Sequence, residues 1–556
     1  MSLTDPTSLE VNGVVAAFAE GVVAVGDLEV EIRSRDVDAG RRLDVIVRNP
    51  GRDAIGLGDV VVRVAATPEQ VLEHGHQSWS VVRRCSAKDV RPERAELPDW
   101  ARGTHLSRPD GAGHVIAGDQ FLLTSDGVAG FLDAKNHLGT VEAEAGGVAV
   151  RAMFDGVVLA AGAARALEPI WLADGDAGER YSDFVSLWGL TAGARMSAPA
   201  PLGWCSWYQY FADVTPDDVR ANLEAIAGRG FDVVQIDDGY QRAIGDWLST
   251  ADAWAEGLGP LVHEIQHAGL QPGIWTAPFL VGTDSEVFAA NPEWVSTHGP
   301  TGHPSKAAYN PGNWGGWALA LDTTRPEVLD HLRVTYAALV DQGFDYHKID
   351  FCYAAALPAR RHDPTKTRAE SLRAGLDAVR EGIGDGAFLL GCGCPFGPAV
   401  GVVDAMRVSA DVAPVWAPDN HWPGLYEAAP AAVNAIAASV LRAPMHRRLF
   451  INDPDCLLLR PTDTRLDAGQ RSFLAAVITG TGAFTLVSDD MRRYSDAEWG
   501  LLEALRSVHD DVDTLLDIDD PFADPIVVRS AAGTLLTVDW RDDAPGGPVA
   551  QLGLAE

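Results

Sequence analysis

An alternation of short apolar strand segments with helical patterns, between residues 202 and 488, most constrains how this chain can fold. Such alternation is typical of a parallel sheet. Eight repeats over about 290 residues match the size of a (β/α)8 TIM barrel, which we predict here. The eight strand candidates are LGWCSW (202–207), FDVVQID (231–237), QPGIWTA (271–277), FDYHKID (344–350), AFLLGC (387–392), DAMRVS (404–409), RLFIN (448–452) and GAFTLVS (482–488).

The flanking regions have the pattern of β-domains. Short Val-, Ala- and Leu-rich runs separated by Gly, Asp and Asn recur before the barrel and predict an N-terminal β-sandwich. Within it, the charged, Pro-containing residues 85–115 are expected to form an irregular connection. PIVVRSAAGTLLTVDWRD resembles a hairpin and indicates a small C-terminal antiparallel β-domain. The predicted domains are therefore residues 1–195, 196–510 and 511–556.

Charge and composition exclude several classes of function. Lys and Arg number 44 against 78 Asp and Glu, a net charge of −34, which disfavours nucleic acid and anionic membranes as partners. The sequence has no apolar run of about 18 residues, so no membrane span is expected. MSLTDPTSLEVNG at the N-terminus has no apolar signal core. Six Cys in 556 residues do not suggest a disulfide scaffold, and a cytoplasmic location is expected.

The C-x-C formed by Cys392 and Cys394 is a weak indication of a metal. No His/Cys pair follows it at zinc-finger spacing, so we predict no metal site. No organic cofactor is implied either.

Asp350 is the strongest candidate for a reacting group. It falls where the strand candidate 344–349 ends, and parallel barrels hold their reacting groups at the carboxyl ends of strands. Lys348 lies on the same side of that strand, so its ammonium is expected to lower the pKa of the Asp350 carboxyl. An ionised, positioned carboxylate suits the nucleophile of covalent glycosyl transfer. Taken alone, a surface ion pair at a strand end is the commoner explanation.

Other predicted strand ends also carry carboxylates and indoles. Carboxylates accept hydrogen bonds from hydroxyls, and an indole stacks on the apolar face of a pyranose. Any one of them could instead be a helix N-cap or a core residue, but together they predict a sugar-binding rim. The carboxylates and indoles are Trp204, Trp207, Asp237, Asp238, Trp275, Asp411, Asp453 and Asp455, and the same rim also carries Cys392 and Arg407.

The segment HGHQSWS, residues 74–80, stands out in the N-terminal domain. It places Trp79, Gln77 and two His in what we expect to be an exposed polar loop, a composition suited to sugar faces and hydroxyls. A structural loop packed on the next domain is an equally good interpretation. We expect the loop to reach the barrel rim and narrow the pocket mouth.

Six segments resemble the motifs of glycoside hydrolase family 36, whose members are α-galactosidase-type enzymes related to family 27 and to plant raffinose synthases. They are HGHQSWS, LGWCSWYQYFADVTPDDV, QIDDGYQ, HKIDF, MRVSADV and INDPDCLL. Apart from HGHQSWS, the resemblance covers about residues 200–490. It implies a β-sandwich, a catalytic barrel and a C-terminal β-domain.

The resemblance also implies residue roles. Asp350 corresponds to the nucleophile and Asp411 to the general acid/base, while Asp237 and Asp238 correspond to a pair that binds the 4- and 6-hydroxyls of the sugar. Trp204, Trp275, Lys348 and Cys392 correspond to residues that line the same subsite. One departure is NWGGWALALD, which has no Arg before Asp322 where members often carry one, so the sugar or its linkage stays open.

The expected function is that of a retaining, exo-acting α-glycosidase, most consistent with an α-galactosidase. Its partner would be a small α-glycoside or oligosaccharide. The alternatives are a raffinose-synthase-like transglycosylase, a clan relative acting on another α-sugar, and a non-catalytic sugar-binding protein. The sequence leaves open the aglycone, the balance of hydrolysis and transfer, and whether the protein forms a homo-oligomer.

Overall fold

The computed structural model describes residues 2–37, 40–108, 115–196, 198–299, 301–482, 484–508, 512–541 and 549–552. In these ranges the chain forms a large N-terminal sheet, a parallel barrel and a small C-terminal antiparallel sheet, which confirms the predicted fold class. None of the helices in these ranges is long and apolar enough to span a membrane.

The N-terminal strands form one hydrogen-bonded sheet in the order β2-β1-β6-β13-β12-β9-β7-β10-β11-β15-β5-β4-β3. Outside this order, β14 pairs with β5 and β8 pairs with β7. Although β6 and β5 are far apart in this order, Val62 and Val45 pack in the same core. The sheet therefore folds over itself into two layers, as a sandwich does. The elements are β1 (Pro6–Val11), β2 (Val14–Ala17), β3 (Gly21–Val25), β4 (Leu28–Val37), β5 (Gly40–Arg48), β6 (Ile55–Val64), β7 (Gln70–His74), β8 (Val82–Ser86), α1 (Asp99–His105), β9 (Ile116–Asp119), β10 (Phe121–Thr124), β11 (Gly127–Phe131), β12 (Leu138–Glu144), β13 (Gly147–Leu159), β14 (Ala164–Ala166), β15 (Ile170–Asp174) and α2 (Ala177–Ala192).

The two helices of this region correct the sequence interpretation. Helix α1 lies inside residues 85–115, which were expected to be irregular, although residues 109–114 lie outside the described residues. Helix α2 lies inside the region interpreted as all-β. It begins at an N-cap, since the Asp176 side chain accepts from the amide of Glu179, and it ends at Gly193 with φ 74°. These two caps set the start and end of helix α2, although the surrounding sequence has a strand-like composition.

All eight strand candidates form strands of one parallel sheet, in the order β25-β24-β23-β22-β18-β17-β16-β26. Leu457 forms a parallel bridge with Val487 and so connects the two ends of this order into a ring. The elements are β16 (Leu202–Cys205), α3 (Trp207–Tyr210), α4 (Pro216–Ile226), β17 (Val233–Ile236), α5 (Gly259–His267), β18 (Gln271–Thr276), β19 (Leu280–Gly282), α6 (Glu286–Ala290), β20 (Lys306–Asn310), β21 (Gly316–Ala320), α7 (Pro326–Asp341), β22 (Tyr346–Ile349), α8 (Arg368–Ile383), β23 (Phe388–Gly391), α9 (Phe396–Ala399), β24 (Ala405–Arg407), α10 (Ala432–Leu441), β25 (Ile451–Asp453), α11 (Ala468–Thr481), β26 (Thr485–Val487) and α12 (Asp496–Arg506).

Strands β19, β21 and β20 form a separate antiparallel sheet inserted between β18 and α7. The sequence analysis did not separate this insertion from the barrel. Because it follows the carboxyl end of β18, it stands over the barrel face where a site is expected.

The C-terminal sheet contains β27 (Asp517–Ile518), β28 (Ile526–Ser530), β29 (Gly533–Asp539) and β30 (Val549–Leu552), all antiparallel. The predicted hairpin corresponds to β28 and β29 and is confirmed. Leu536 of β29 shares a hydrophobic core with Val477 of α11, so this sheet packs against the barrel.

Candidate active site

Asp350 directly follows the buried strand β22 and is only 6% exposed. Its Oδ2 accepts a hydrogen bond of 3.1 Å from the indole of Trp275, and its Oδ1 accepts one of 2.7 Å from the amide of Phe351. Phe351 has φ 53°, a left-handed conformation that a bulky residue adopts at a cost. The turn after β22 therefore fixes both carboxylate oxygens of Asp350 at the carboxyl end of the barrel.

Lys348 corrects one expectation. Its Nζ donates to Oδ2 of Asp237 at 2.9 Å, so Asp237 and not Asp350 is its hydrogen-bonded partner. Burial lowers the pKa of Lys348, but the charges of Asp237 and, more weakly, of Asp350 outweigh burial and hold the pKa well above its usual value. Lys348 is thus a fixed cation between the two carboxylates.

Asp238 has a different set of donors from its neighbour Asp237. Its Oδ2 accepts from the indole of Trp314 at 2.9 Å and its Oδ1 accepts from the amide of Gln241. Burial raises the pKa of Asp238 above its ordinary value. Two adjacent carboxylates therefore stand side by side with different donors, which suits recognition of neighbouring hydroxyls.

Asp411 lies beyond β24, with a third of its side chain exposed. Its Oδ1 accepts from Arg407 Nη1 at 3.1 Å and from the indole of Trp79 at 3.2 Å. Burial in the pocket raises the pKa of Asp411 to about 6, helped by the charges of Asp455 and Asp350 and opposed by Arg407. The Trp79 ring that contacts Asp411 also lies 4.9 Å from the ring of Phe351, the residue that follows Asp350.

Arg407 connects Asp411 to two fully buried carboxylates. Its Nε donates to Asp453 at 3.1 Å, and its Nη2 lies 2.8 Å from Asp455. Asp455 also accepts from the hydroxyl of Tyr208. A guanidinium held on three carboxylates keeps its position, and with it the position of Asp411.

The HGHQSWS loop is buried rather than exposed, which corrects the sequence interpretation. Arg442, itself fully buried, donates to the carbonyls of Gly75, Ser78 and Val408. These bonds connect the N-terminal loop to the chain just after β24, so the loop is part of the barrel rim. The expectation that the loop reaches this rim is confirmed.

Gly393, between Cys392 and Cys394, allows the HGHQSWS loop to pack closely against the barrel. Its amide donates to Ser78 Oγ at 3.1 Å. Its φ is 50°, and a Cβ there would lie 2.9 Å from the ring of Trp79. Only glycine avoids both the strain and the collision. The segment interpreted as a weak metal indication therefore has a packing role, and the described residues contain no cluster of three or more metal-ligating side chains.

In comparisons with known proteins, this chain is similar to α-galactosidases. The Melibiase family model matches residues 178–379. The α-galactosidase AgaA of Geobacillus stearothermophilus is 26% identical over 193 residues, which are 32% of this chain and 25% of that protein. An Escherichia coli α-galactosidase is 25% identical over 153 residues, 26% of this chain and 20% of that protein. The aligned segments thus span a quarter or less of these relatives.

Solved structures extend the similarity. TtGalA, an α-galactosidase from Thermus thermophilus in complex with p-nitrophenyl α-D-galactopyranoside, superposes with a TM-score of 0.70 at 27% identity, covering 90% of this chain and 94% of that one. In sequence and in fold, this chain is therefore similar to family 36 α-galactosidases. The crystal structure of AgaA itself, described as a GH36 α-galactosidase, has a TM-score of 0.64 at 15% identity over 98% of this chain and 80% of that one, which supports the fold alone.

Two further tryptophans of the predicted rim differ in burial. Trp204 is completely buried, and its indole donates to the carbonyl of Asp489 at 2.9 Å. Trp207 is half-buried, and its ring lies edge-on against Phe211 at 5.3 Å.

Cys392 does lie at the site, buried after β23. Burial and then the charge of Asp350 raise the pKa of its thiol well above the usual value, so the thiol is neutral. Trp275 donates to Asp350, Lys348 donates to Asp237, and Arg407 and Trp79 both donate to Asp411.

Sequence reasoning missed Trp314 and Gln241. Trp314 lies in the turn between β20 and β21. It belongs to the NWGGW segment, for which the sequence analysis remarked only on the missing Arg. Its pairing with Asp238 joins residues 76 positions apart. A Trp beside Asn and Gly in a turn was the available signal, since a large aromatic side chain is seldom left in a loop without a contact.

Proposed function

We propose that this protein is a retaining, exo-acting α-galactosidase that hydrolyses terminal α-galactosides through a covalent glycosyl-aspartate intermediate. The observation that supports it is that Trp79 links two carboxyls with unlike surroundings: its indole donates to Asp411, and its ring lies 4.9 Å from that of Phe351, the residue after Asp350. Asp350 has hydrogen bonds from neutral donors, whereas Asp411 has a pKa of about 6 and can hold a proton near neutral pH.

In the first step, an Asp350 oxygen attacks the anomeric carbon and the bond to the leaving oxygen breaks. The proton of Asp411 passes to that oxygen. In the second step a water molecule gives a proton to Asp411 and attacks the same carbon, and the bond to Asp350 breaks. Two inversions retain the α configuration. We predict a separation of about 5–5.5 Å between the two carboxyl groups, as retaining enzymes have.

Asp237 and Asp238 are proposed to accept the 4- and 6-hydroxyls of the sugar. The Lys348 ammonium on Asp237 and the Trp314 indole on Asp238 hold these acceptors in place. Hydrogen bonds to charged groups contribute roughly 1.5–3 kcal/mol each, enough to favour one epimer strongly. The 4-hydroxyl is the group that differs between galactose and glucose, so this pair would make the site selective for α-galactosides.

A panel of aryl α- and β-glycosides tests the proposal. We expect rapid release from the α-galactoside, much slower release from the α-glucoside and none from β-anomers, with α-galactose as the first product seen by NMR. Equal rates on the two α-epimers would show a clan relative with another sugar preference. Dominant transfer to an added sugar acceptor would show a transglycosylase of raffinose-synthase type, and binding without turnover would show a sugar-binding protein.

We also propose a cytoplasmic location. All six cysteines are free thiols in the structure, which supports a reducing compartment. Fractionation of the native cells, with the protein detected by antibody, tests this; recovery from the culture medium would contradict it.

A further inference from the structure

Three tryptophans from separate segments meet in one aromatic cluster outside the carboxylate pocket. Trp100 of α1 lies edge-on to Trp317 of β21, with ring centroids 6.0 Å apart, and edge-on to Trp422 at 6.4 Å. Trp422 belongs to the segment between β24 and α10. None of these residues has a role in the mechanism proposed above, so their meeting needs a separate explanation.

Each segment that carries a member of the cluster also carries or supports a pocket residue. Trp317 follows Trp314, the donor to Asp238, by three positions along the same insertion. Helix α1, which carries Trp100, ends at His105, whose ring hydrogen-bonds the carbonyl of Trp79 at 2.8 Å. The segment of Trp422 begins after Asp411. Each member of the cluster is therefore linked along the chain to a residue of the carboxylate site, through Trp79, Asp411 or the β20–β21 insertion.

One side of the cluster packs on a hydrophobic core, and the other side is exposed to solvent. Trp100 packs on a small hydrophobic core built from Val81, Leu97, Ala101, Leu425 and Ala428. Trp422 is 48% exposed, and Tyr309, whose ring is 4.7 Å from that of Trp317, is 52% exposed. Rigid aromatic rings held open to water beside a pocket are suited to stacking on the apolar faces of sugars.

We propose that Trp100, Trp317 and Trp422 form a binding subsite for the sugar units of the leaving group, beyond the bond that is cleaved. The subsite would favour α-galactosides of oligosaccharides over those with a small leaving group. This inference rests on the proposed function for its substrate, but it concerns a different set of side chains. Its occupant is a neutral oligosaccharide, because the surface offers exposed aromatic rings together with the Lys306 ammonium, which lies 4.5 Å from the centre of the Trp317 ring and can donate to sugar hydroxyls.

The test compares two substrates that share the galactosyl unit. Stachyose has a leaving group of three sugars, whereas in α-galactosyl fluoride the leaving group is a single atom that cannot reach the cluster. For Trp422→Ala and Trp317→Ala, we expect the ratio of kcat/KM for stachyose to that for the fluoride to fall about three- to tenfold, the size of one lost aromatic contact. Trp422→Tyr retains a ring and should keep most of the ratio.

Trp499→Ala is the matched control, because this half-buried tryptophan of α12 packs on Arg229 at the opposite end of the barrel. Its ratio should equal that of the unchanged protein. An unchanged ratio in both alanine variants of the cluster overturns the subsite, and so does an equal loss on both substrates.

Calorimetric titration of stachyose into the same variants tests the aromatic subsite separately from the proposed α-galactosidase activity. Weaker binding in Trp422→Ala supports the subsite even where no hydrolysis occurs, and equal binding overturns it.

Discussion

The two carboxylates at the centre of the site differ in what holds them. Asp350 is almost completely buried and its oxygens accept from the Trp275 indole and a backbone amide, both within the barrel. Asp411 is one-third exposed, is paired with Arg407, and accepts from Trp79 of the N-terminal domain. One environment is made by the barrel alone, whereas the other requires two domains.

This difference shows how one rim can give two carboxyls different chemistry. The proposed nucleophile, Asp350, needs a fixed position, which strand β22 and the left-handed turn at Phe351 provide. The proposed acid/base, Asp411, needs a proton near neutral pH, and burial with the charge of Asp455 favours it by raising the pKa of Asp411 to about 6. The N-terminal domain is therefore part of the proposed active site, not an appendage.

The largest expected effect comes from Asp350→Gly. Without a nucleophile no covalent intermediate can form, so kcat should fall by about 10⁴-fold or more with every substrate. Azide could enter the vacated space and, by one inversion, give a β-galactosyl azide. The product configuration is read by NMR. Asp345→Gly, at the exposed opposite end of the same strand, is the control and should stay active.

Asp411→Gly should behave differently. A 2,4-dinitrophenyl leaving group needs little protonation, so formation of the intermediate should survive, whereas alkyl galactosides should lose about 10²- to 10⁴-fold. Azide should then give the α-galactosyl azide by two inversions. An α-azide from the Asp350 variant together with a β-azide from the Asp411 variant would mean that the two roles are reversed.

Trp79→Ala tests the contribution of the second domain. The variant loses an indole donor to Asp411 and a ring that lies 4.9 Å from that of Phe351. We expect KM to rise about tenfold, the value of roughly one hydrogen bond to a charged group, with a smaller effect on thermal stability. Trp79→Phe should restore stability without restoring KM. Unchanged kinetics on small and oligomeric substrates would leave the loop a structural role only.

The smallest expected effect is a pH shift in Asp455→Asn. The charge of Asp455 raises the pKa of Asp411, so its removal lowers that pKa. The protonated acid is then lost at lower pH, and the alkaline limb of kcat/KM should move towards acid by several tenths of a pH unit. Asn tolerates the φ of 81° at this position. Asp463→Asn, exposed with φ 54°, is the control; a shift towards alkaline pH would contradict the charge argument.

The sequence by itself determined the elements and most of the strand-end residues. Apolar segments alternating with helical patterns need only local periodicity to be recognised, and all eight became parallel strands. Because parallel strands must end at one face, Asp237, Asp350 and Asp411 could be assigned to one rim before any contact was known. The family motifs then added roles that spacing alone does not supply.

The tertiary structure alone decided which groups pair. Lys348 contacts Asp237, 111 positions away, rather than Asp350, two positions away, because side chains inside a closed barrel meet across it as well as along a strand. Trp79 reaches Asp411 across 332 positions, and the loop that carries it is buried by Arg442. Helix α2 and the burial of Trp204 were missed for a similar reason. Caps and packing partners override composition, and partners distant in sequence leave no local pattern.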